Sequence, residues 1–589
     1  MIGIRRLFAA AAACFSVVVF AQVPPTVPRP SDSPSSGTIL RDQAPRQELP
    51  ISPSTAPVLP QVAPPKPALP AGTKVNVTVK DFRFSGNTVF TSAELRELVR
   101  EFIGKTLDFN GLNDAASRVQ RHYRERGYFL AVAYLPQQEI REGIVEIAVL
   151  EGRLGQINLQ VDPKTKLRES FARGILAAHL KTGDLITENS LERPLLLLRD
   201  LPDTEVTSEL GPSKTQLGAA DLTVKLSENT KHFNGYVDAD NWGNRFSGAY
   251  RAGINLNAGD LTGYGDLLSF RGFITDESMK FGRLAYVIPF GHYGTRIGAS
   301  ATSFSYSLGK DFAPLNADGD GQVYTVYALH PILRTRNANV FVQAAAERKD
   351  LEDRQAFTDT GAFLGRVVDQ TITNGKLGVV GDFRDRLMSG GLNSYAVTVT
   401  GGKLEIQPDT ELAGDQAPGT GAQTAGHFSK LNVEFRRLQR LSDQFNLLFA
   451  YTAQGANKNL SAAEKMALGG PTGVRAYPVG EAPGDLGQLG TLELRYIVPK
   501  LQVFGGDLTL STFVDHGQVK TQQTPPSAAI APNNQNMRSL TGAGIGISLG
   551  REGNFLFRMD IATPLDNETP TSDSKKMDPR IWAQAIKWF

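Results

Sequence analysis

From residue 230 to the C-terminus the chain shows no helical periodicity and reads as segments of about ten residues whose alternate positions differ in polarity. In "LTGAGIGISL", Ala543, Ile545, Ile547 and Leu549 share one face, and Gly542, Gly544, Gly546 and Ser548 share the other. In "NFLFRMDIA", Phe555, Phe557, Met559 and Ile561 oppose Asn554, Leu556, Arg558 and Asp560. A soluble core would have to bury Arg558 and Asp560, which is costly for ionised side chains. A closed barrel in a bilayer suits both faces, because apolar positions meet lipid, polar positions line a lumen, and closure pairs every backbone group.

Strand starts are read near 232, 247, 265, 280, 294, 322, 338, 370, 392, 426, 443, 488, 505, 540, 554 and 579. That is sixteen, an even number as single-chain bacterial barrels have. Short connections such as "PFGHYG" and "GREGN" alternate with long ones at 306–321, 350–369, 405–425 and 455–487. Short turns then lie on the periplasmic side and long loops point outward. The chain ends on "AIKWF", so Phe589 is an aromatic terminus on the last strand.

The N-terminus sets the compartment. "MIGIRRLFAAAAACFSVVVFAQ" has Arg5 and Arg6, an apolar stretch and a small residue at Ala21, the pattern of a secretory signal peptide over residues 1–21. Cys14, the only cysteine, lies inside it, so the mature chain has no disulfide. Removing the leader takes the formal net charge from +2 to zero, and no basic stripe or zinc spacing accompanies it, which argues against a nucleic-acid partner. Residues 23 to 72 hold fourteen of the 34 prolines, an extended linker assigned to 22–74. It is interrupted by "SSGTILRDQAPRQEL" (35–49), which reads either as a short helix capped by Ser35 or Ser36 or as plain linker.

Between linker and barrel the texture is mixed. "VNVTVKDFRFSGNTVF" alternates, "SAELRELVREFIG" and "LNDAASRVQRHYRERG" have helical spacing, and a hairpin follows that turns at Glu142–Gly143. The same β-α-α-β-β order repeats after it, giving two tandem α/β modules at 75–153 and 154–229. The predicted architecture is therefore two such modules followed by a sixteen-stranded antiparallel transmembrane barrel over 230–589. Exposed sheet edges in the modules would accept an extended segment by strand addition.

The sixth outward loop, 455–487, contains "GGPTGVRAYPVGEAPGD" with a single cation, Arg475. Two strands on, "LTLSTFVDHGQV" turns Leu508, Leu510, Thr512 and Val514 to lipid and Thr509, Ser511, Phe513 and Asp515 inward. A lumenal carboxylate pairs best with a guanidinium. The pattern allows either a loop folded into the barrel with Arg475 on Asp515, and Glu493 as a second partner, or a solvated Arg in an outward loop.

Together, leader, linker, paired modules and barrel resemble the two-partner secretion transporters, the haemolysin secretion/activation proteins, in a superfamily that includes the barrel-assembly insertase. The modules resemble the POTRA type, and "FRFSGNTVF" looks like the opening strand of the first. "GVRAYP" is similar to a Val-Arg-Gly-Tyr loop motif and "FVDHG" to a Phe-x-Asp-x-Gly strand motif. The resemblance implies Val474, Arg475, Ala476 and Tyr477 as loop tip, and Phe513, Asp515 and Gly517 as its partners on the wall. It also implies a pore-plugging helix within 35–49, and export of a large unfolded partner that bears an N-terminal secretion domain. Outer-membrane lipid and the barrel-assembly machinery would be further partners. Ala476 departs from the motif's glycine, and a positive φ there would cost Ala about 1 kcal/mol or more. "NADGDG" (316–321) starts like a calcium loop, but Tyr327 at its twelfth position favours a plain outward turn. No catalytic residue, cofactor or metal site is expected. An assembly factor would carry more modules, and a passive porin would leave both modules without a use.

Overall fold

A computed structural model describes residues 33–43, 76–216, 218–228, 233–358, 360–526, 536–573 and 577–589. The expected signal peptide and most of the linker lie outside the described residues.

The first module contains β1 (Val77–Thr78), β2 (Asp81–Ser85), α2 (Ser92–Leu98), β3 (Thr106–Leu107), α3 (Phe109–Glu125), β4 (Val132–Tyr134) and β5 (Ile144–Leu150). Local chemistry starts the helices: Thr91 and Glu94 form a reciprocal cap on α2, and the Asp108 carboxylate accepts from Gly111 N at α3. The main sheet has the order β2-β5-β4, and Leu95, Val119, Tyr123 and Ile147 fill the core beneath it. Glu142 and Gly143 both take positive φ at the hairpin turn.

The second module repeats the plan with β6 (Arg153–Val161), α4 (Glu169–His179), α5 (Glu188–Arg199), β7 (Thr204–Pro212) and β8 (Ala219–Glu228), in sheet order β6-β8-β7. Each sheet runs its first strand parallel and its third antiparallel to the central one.

The remaining chain forms a closed antiparallel barrel. Its first strands are β9 (Phe233–Asp240), β10 (Arg251–Gly259), β11 (Leu267–Thr275), β12 (Lys280–Phe290), β13 (Thr295–Ser307) and β14 (Ala317–Arg334). β15 (Ala338–Phe357), β16 (Phe363–Asp385), β17 (Gly391–Gln407), β18 (Gly426–Arg440) and β19 (Phe445–Ala456) follow. After a loop holding β20 (Met466–Ala467) and β21 (Pro483–Gly484) come β22 (Leu486–Val503), β23 (Gly506–Lys520), β24 (Met537–Arg551), β25 (Phe555–Pro564) and β26 (Arg580–Trp588). Sixteen of these described strands make the wall, and β26 closes on β9 through Gln584–Trp588 against Asp240–Tyr236. Phe589 continues that seam by exchanging backbone hydrogen bonds with Gly235. Leu284, Leu377, Val514 and Ile545 stay exposed on the outer face, while Asp238, Asp382, Asp515 and Asp560 are buried on the inner one.

Two expected loops are shorter than polarity suggested. Most of 350–369 is strand, since β15 runs to Phe357 and β16 begins at Phe363. "NADGDG" is not a turn either: Asn316 takes the left-handed conformation (φ 43°) and Ala317 already opens β14. Arg354 holds both hairpins together there, reaching Asp318 at 2.8 Å and Asp320 at 2.9 Å across the strands. Charged cross-strand pairs sustain a ladder outside the hydrocarbon as apolar pairs do within it, so these stretches are strand although their polarity predicts loop.

Two further pieces complete the architecture. α1 (Ser36–Gln43) lies inside the barrel, where Ile39 and Leu40 pack with Phe304, Leu351, Ile372 and Phe428 from four wall strands. The second module docks on a short-turn end: Arg334 binds Asp200 at 2.6 Å, Arg336 pairs with Glu188 and Glu192, and Arg193 donates to Pro331 O at 2.7 Å. A further helix, α6 (Asp409–Asp415), stands in the outward connection between β17 and β18.

Candidate functional site: an arginine held in the barrel wall

The connection between β19 and β22 turns back into the lumen instead of projecting outward. Met466–Ala467 pair with Pro483–Gly484 as its neck, and the tip is knotted by Val474 N to Leu468 O at 2.7 Å and Gly470 N to Tyr477 O at 3.1 Å. Glycine is required at several points of the loop, two of them beside the tip. Gly470 has φ +111°, and a Cβ on Gly473 would stand 1.9 Å from Leu468 O. The Gly/Pro density therefore encodes a fixed turn rather than a slack one.

At the tip Arg475 is 3% exposed and Asp515 0%. Arg475 Nε donates to Asp515 Oδ2 at 2.9 Å and Nη2 to Asp515 Oδ1 at 3.0 Å, a bidentate pair. Its Nη1 donates to Glu493 Oε2 at 2.9 Å and stands 3.5 Å from Asp560 Oδ2. The guanidinium lies over the Phe513 ring, 3.2 Å from its centroid. The backbone is held too: Arg475 N donates to Asp515 Oδ2 at 3.2 Å, and Trp582 Nε1 donates to Arg475 O at 2.7 Å. One residue thus joins β22, β23, β25 and β26. Removing one partner from such a buried pair costs about 3–5 kcal/mol, because the other charge is left without compensation.

The rest of the tip fits against small residues of the wall. Ala476 is not among the residues with positive φ, so it needs no glycine. Its methyl instead faces Gly542, where a Cβ would come within 2.6 Å of it. Gly544 leaves room for Phe513 in the same way, and Gly517 for Leu468. Val474 and Tyr477 are fully buried, and the Tyr477 hydroxyl donates to Asp566 in the β25–β26 connection.

The family described as haemolysin secretion/activation protein ShlB/FhaC/HecB matches residues 218–549, and an ShlB-type POTRA domain matches 77–152. The chain belongs to this family. It is an outer-membrane two-partner secretion transporter that works with a secreted partner protein, its modules lying in the periplasm. The heme/hemopexin transporter protein HuxB of Haemophilus influenzae is 28% identical over 505 residues, 85% of each chain. The outer membrane transporter CdiB of Dickeya dadantii is 21% identical over 481 residues, 80% of each. Among solved structures, CdiB from Escherichia coli superposes with a TM-score of 0.67 at 20% identity, covering 90% of this chain and 94% of that one. BamA from Haemophilus ducreyi, without its first three POTRA domains, gives 0.52 at 14% identity over 87% and 100%.

For a transporter of this family, the pairing partners that pattern reading did not assign matter as much as those it did. The alternation marks Asp560 as lumenal, yet only barrel closure carries it to Arg475. Trp582 shares that inner face of β26. Glu481 and Asp485, at the end of the loop motif, are both fully buried. Glu481 accepts from Arg538 Nη1 at 2.6 Å and Ser572 N at 2.8 Å, and Asp485 from Lys465 Nζ at 2.6 Å and Leu460 N at 3.0 Å. Higher in the same loop, Glu464 meets Lys349 at 2.6 Å and Lys430 at 2.7 Å, tying it to β15 and β18. Their signal was present as lumenal Lys and Arg on alternating strands, but nothing in the order of residues matches each cation to its carboxylate.

Proposed function

We propose that the resting pore of this transporter is closed by two lumenal elements, α1 and the 457–485 loop, and that only α1 must leave for the partner to pass. The observation that carries this reading is the contrast in how the two are held. The loop is fixed at its tip by the buried Arg475 against Asp515, Glu493 and Trp582. α1 has eight residues and, among the described residues, no buried ion pair to the wall: Asp353 accepts from Ser36 N at 2.6 Å and Ser36 Oγ at 2.9 Å, and Arg251 Nη1 donates to Gln43 Oε1 at 2.5 Å.

The partner, a large unfolded chain of β-helical type, would be taken up through its N-terminal secretion domain by the periplasmic modules. The edge strands of the β2-β5-β4 and β6-β8-β7 sheets offer unpaired backbone for strand addition. Outer-membrane lipid would meet the exposed apolar band, and the barrel-assembly machinery would insert the chain, with Phe589 in its terminal strand. An insertase reading is supported by nothing specific here, and two modules are present among the described residues. The test pairs secretion with conductance. Deleting residues 33–43 should raise single-channel conductance in planar bilayers, while Arg475→Ala should stop secretion of a co-expressed partner. Unchanged conductance after the deletion would refute the plug.

A further inference from the structure

Below the Arg475 pairing, on the side of the short turns, the lumen gathers more cations than the lock uses. Arg495 lies two residues from Glu493 toward the β22–β23 turn, and Arg558 two residues from Asp560 toward the β24–β25 turn, about 7 Å of strand in each case. Arg495 Nε donates to Glu493 Oε1 at 2.7 Å; Arg558 Nη2 stands 2.8 Å from Asp560 Oδ2 and 3.7 Å from Glu493 Oε2. Both remain open to the lumen, with side chains 30% and 32% exposed, against 3% for Arg475. Arg436 on β18 completes the group. It shares the inner face with Lys430 and Asn432, which bond Glu464 and Gln454, while Leu431 is exposed on the outer face. Its charged neighbours are Arg495, Glu493 and Arg558, and among the described residues it makes no hydrogen bond or ion pair.

Four guanidiniums (Arg436, Arg475, Arg495 and Arg558) therefore surround three carboxylates, Glu493, Asp515 and Asp560. Arg475 takes both oxygens of Asp515. Glu434 shares the inner face of β18 two residues from Arg436, yet Arg436 pairs with no carboxylate among the described residues, and Arg495 and Arg558 stay partly open to the lumen.

We propose that Arg436, Arg495 and Arg558 form a binding site for acidic side chains of the exported polypeptide, on the periplasmic side of the lock. The proposal rests on the transporter reading, since the ligand is a chain in transit. Guanidinium forks bind carboxylates in a bidentate manner, and a half-open lumen screens them less than bulk water does. The coupling to the loop has a definite sign. A passing carboxylate that draws Arg495 and Arg558 away leaves Glu493 and Asp560 to Arg475, whose Nη1 already stands between them at 2.9 Å and 3.5 Å. Asp560 Oδ1 is buried and has no donor among the described residues, so it can accept that bond. Acidic segments would thus tighten the lock as they pass, and the loop would stay seated while the pore is occupied.

The test titrates the purified full-length transporter in detergent with tetraglutamate peptide, with tetralysine and inorganic phosphate as comparisons, by calorimetry at low and at physiological salt. Wild type should bind tetraglutamate at least tenfold more tightly than either comparison, and more weakly as salt rises. Arg436→Gln should weaken that binding at least tenfold, and Arg436→Lys should restore most of it. Heat-modifiable gel mobility identifies variants with an intact barrel. Equal affinity of wild type for tetraglutamate and phosphate, or unchanged binding by a folded Arg436→Gln, overturns the site. Lost binding with an unchanged secretion rate of an acidic partner overturns its part in transit, whereas wild type that secretes no partner would fault the transporter reading instead.

Discussion

Arg475→Ala isolates the contribution of one side chain to keeping the loop in the barrel. The change removes three charged hydrogen bonds, two to Asp515 and one to Glu493, and the stacking on Phe513. What it leaves matters more. Glu493 keeps Arg495 and Asp560 keeps Arg558, but among the described residues Asp515, 0% exposed, keeps only the Thr491 hydroxyl at 2.8 Å and the residue 475 backbone N at 3.2 Å. A buried carboxylate stripped of its cation costs about 3–5 kcal/mol, or a factor of about 10² to 4 × 10³ in the opening equilibrium of the loop, since about 1.4 kcal/mol is tenfold. The wall ladder does not depend on this pair, so the loss should appear as local opening rather than barrel unfolding. Hydrogen exchange of residues 466–484, with secretion of a co-expressed partner, measures it. Arg475→Ala should speed exchange by about those two to three and a half decades and abolish secretion. Arg475→Ala combined with Asp515→Ala removes the orphaned charge and should recover most of the protection. Exchange in Arg475→Ala within a factor of three of wild type, with normal secretion, would refute the reasoning.

The remaining predictions concern the seat, the plug and the first module. Gly542→Leu should unseat the tip, because its Cβ alone would meet the Ala476 methyl at 2.6 Å, and exchange of the loop should rise as in Arg475→Ala. Ala476→Gly should cost only about 0.5–1 kcal/mol, the backbone-entropy penalty of glycine at an ordinary φ; its loop exchange should stay within tenfold of wild type. Asp353→Ala removes the acceptor of Ser36 N, Ser36 Oγ and the Tyr306 hydroxyl, so α1 should leave more often and open-channel events should become more frequent in planar bilayers. In the first module, burial pushes the Glu151 carboxyl upward, but bonds from Thr88, Val89 and Tyr123 outweigh it and hold its pKa below the ordinary glutamate value. A depressed folded pKa stabilises above the unfolded value, and the gain is lost as pH falls from about 4.5 through the folded pKa. Exchange in α3 and β5 should therefore accelerate with acid in that window, and Glu151→Gln should lose the dependence while destabilising the module by about 1–3 kcal/mol at neutral pH.

What the residue order determined by itself is the solvent on each side of every strand. Alternation is a local property with period two, so Phe557 and Arg558 declare lipid and lumen without reference to any distant residue, and sixteen such segments leave a closed barrel as the fold. Turn chemistry at Glu142–Gly143 and the caps at Thr91 and Asp108 are local in the same sense. Polarity overstated the outward loops, because the ladder through Arg354, Asp318 and Asp320 needs a partner strand before it counts as strand. Only the tertiary structure decided which lumenal groups meet. Strand tilt and closure bring Asp560 and Trp582 to an arginine about a hundred residues earlier in the chain, and the inward fold of the loop buries Glu481 and Asp485. The same fold settles Ala476: its φ is ordinary, and the glycine needed for the close approach stands opposite it, at Gly542.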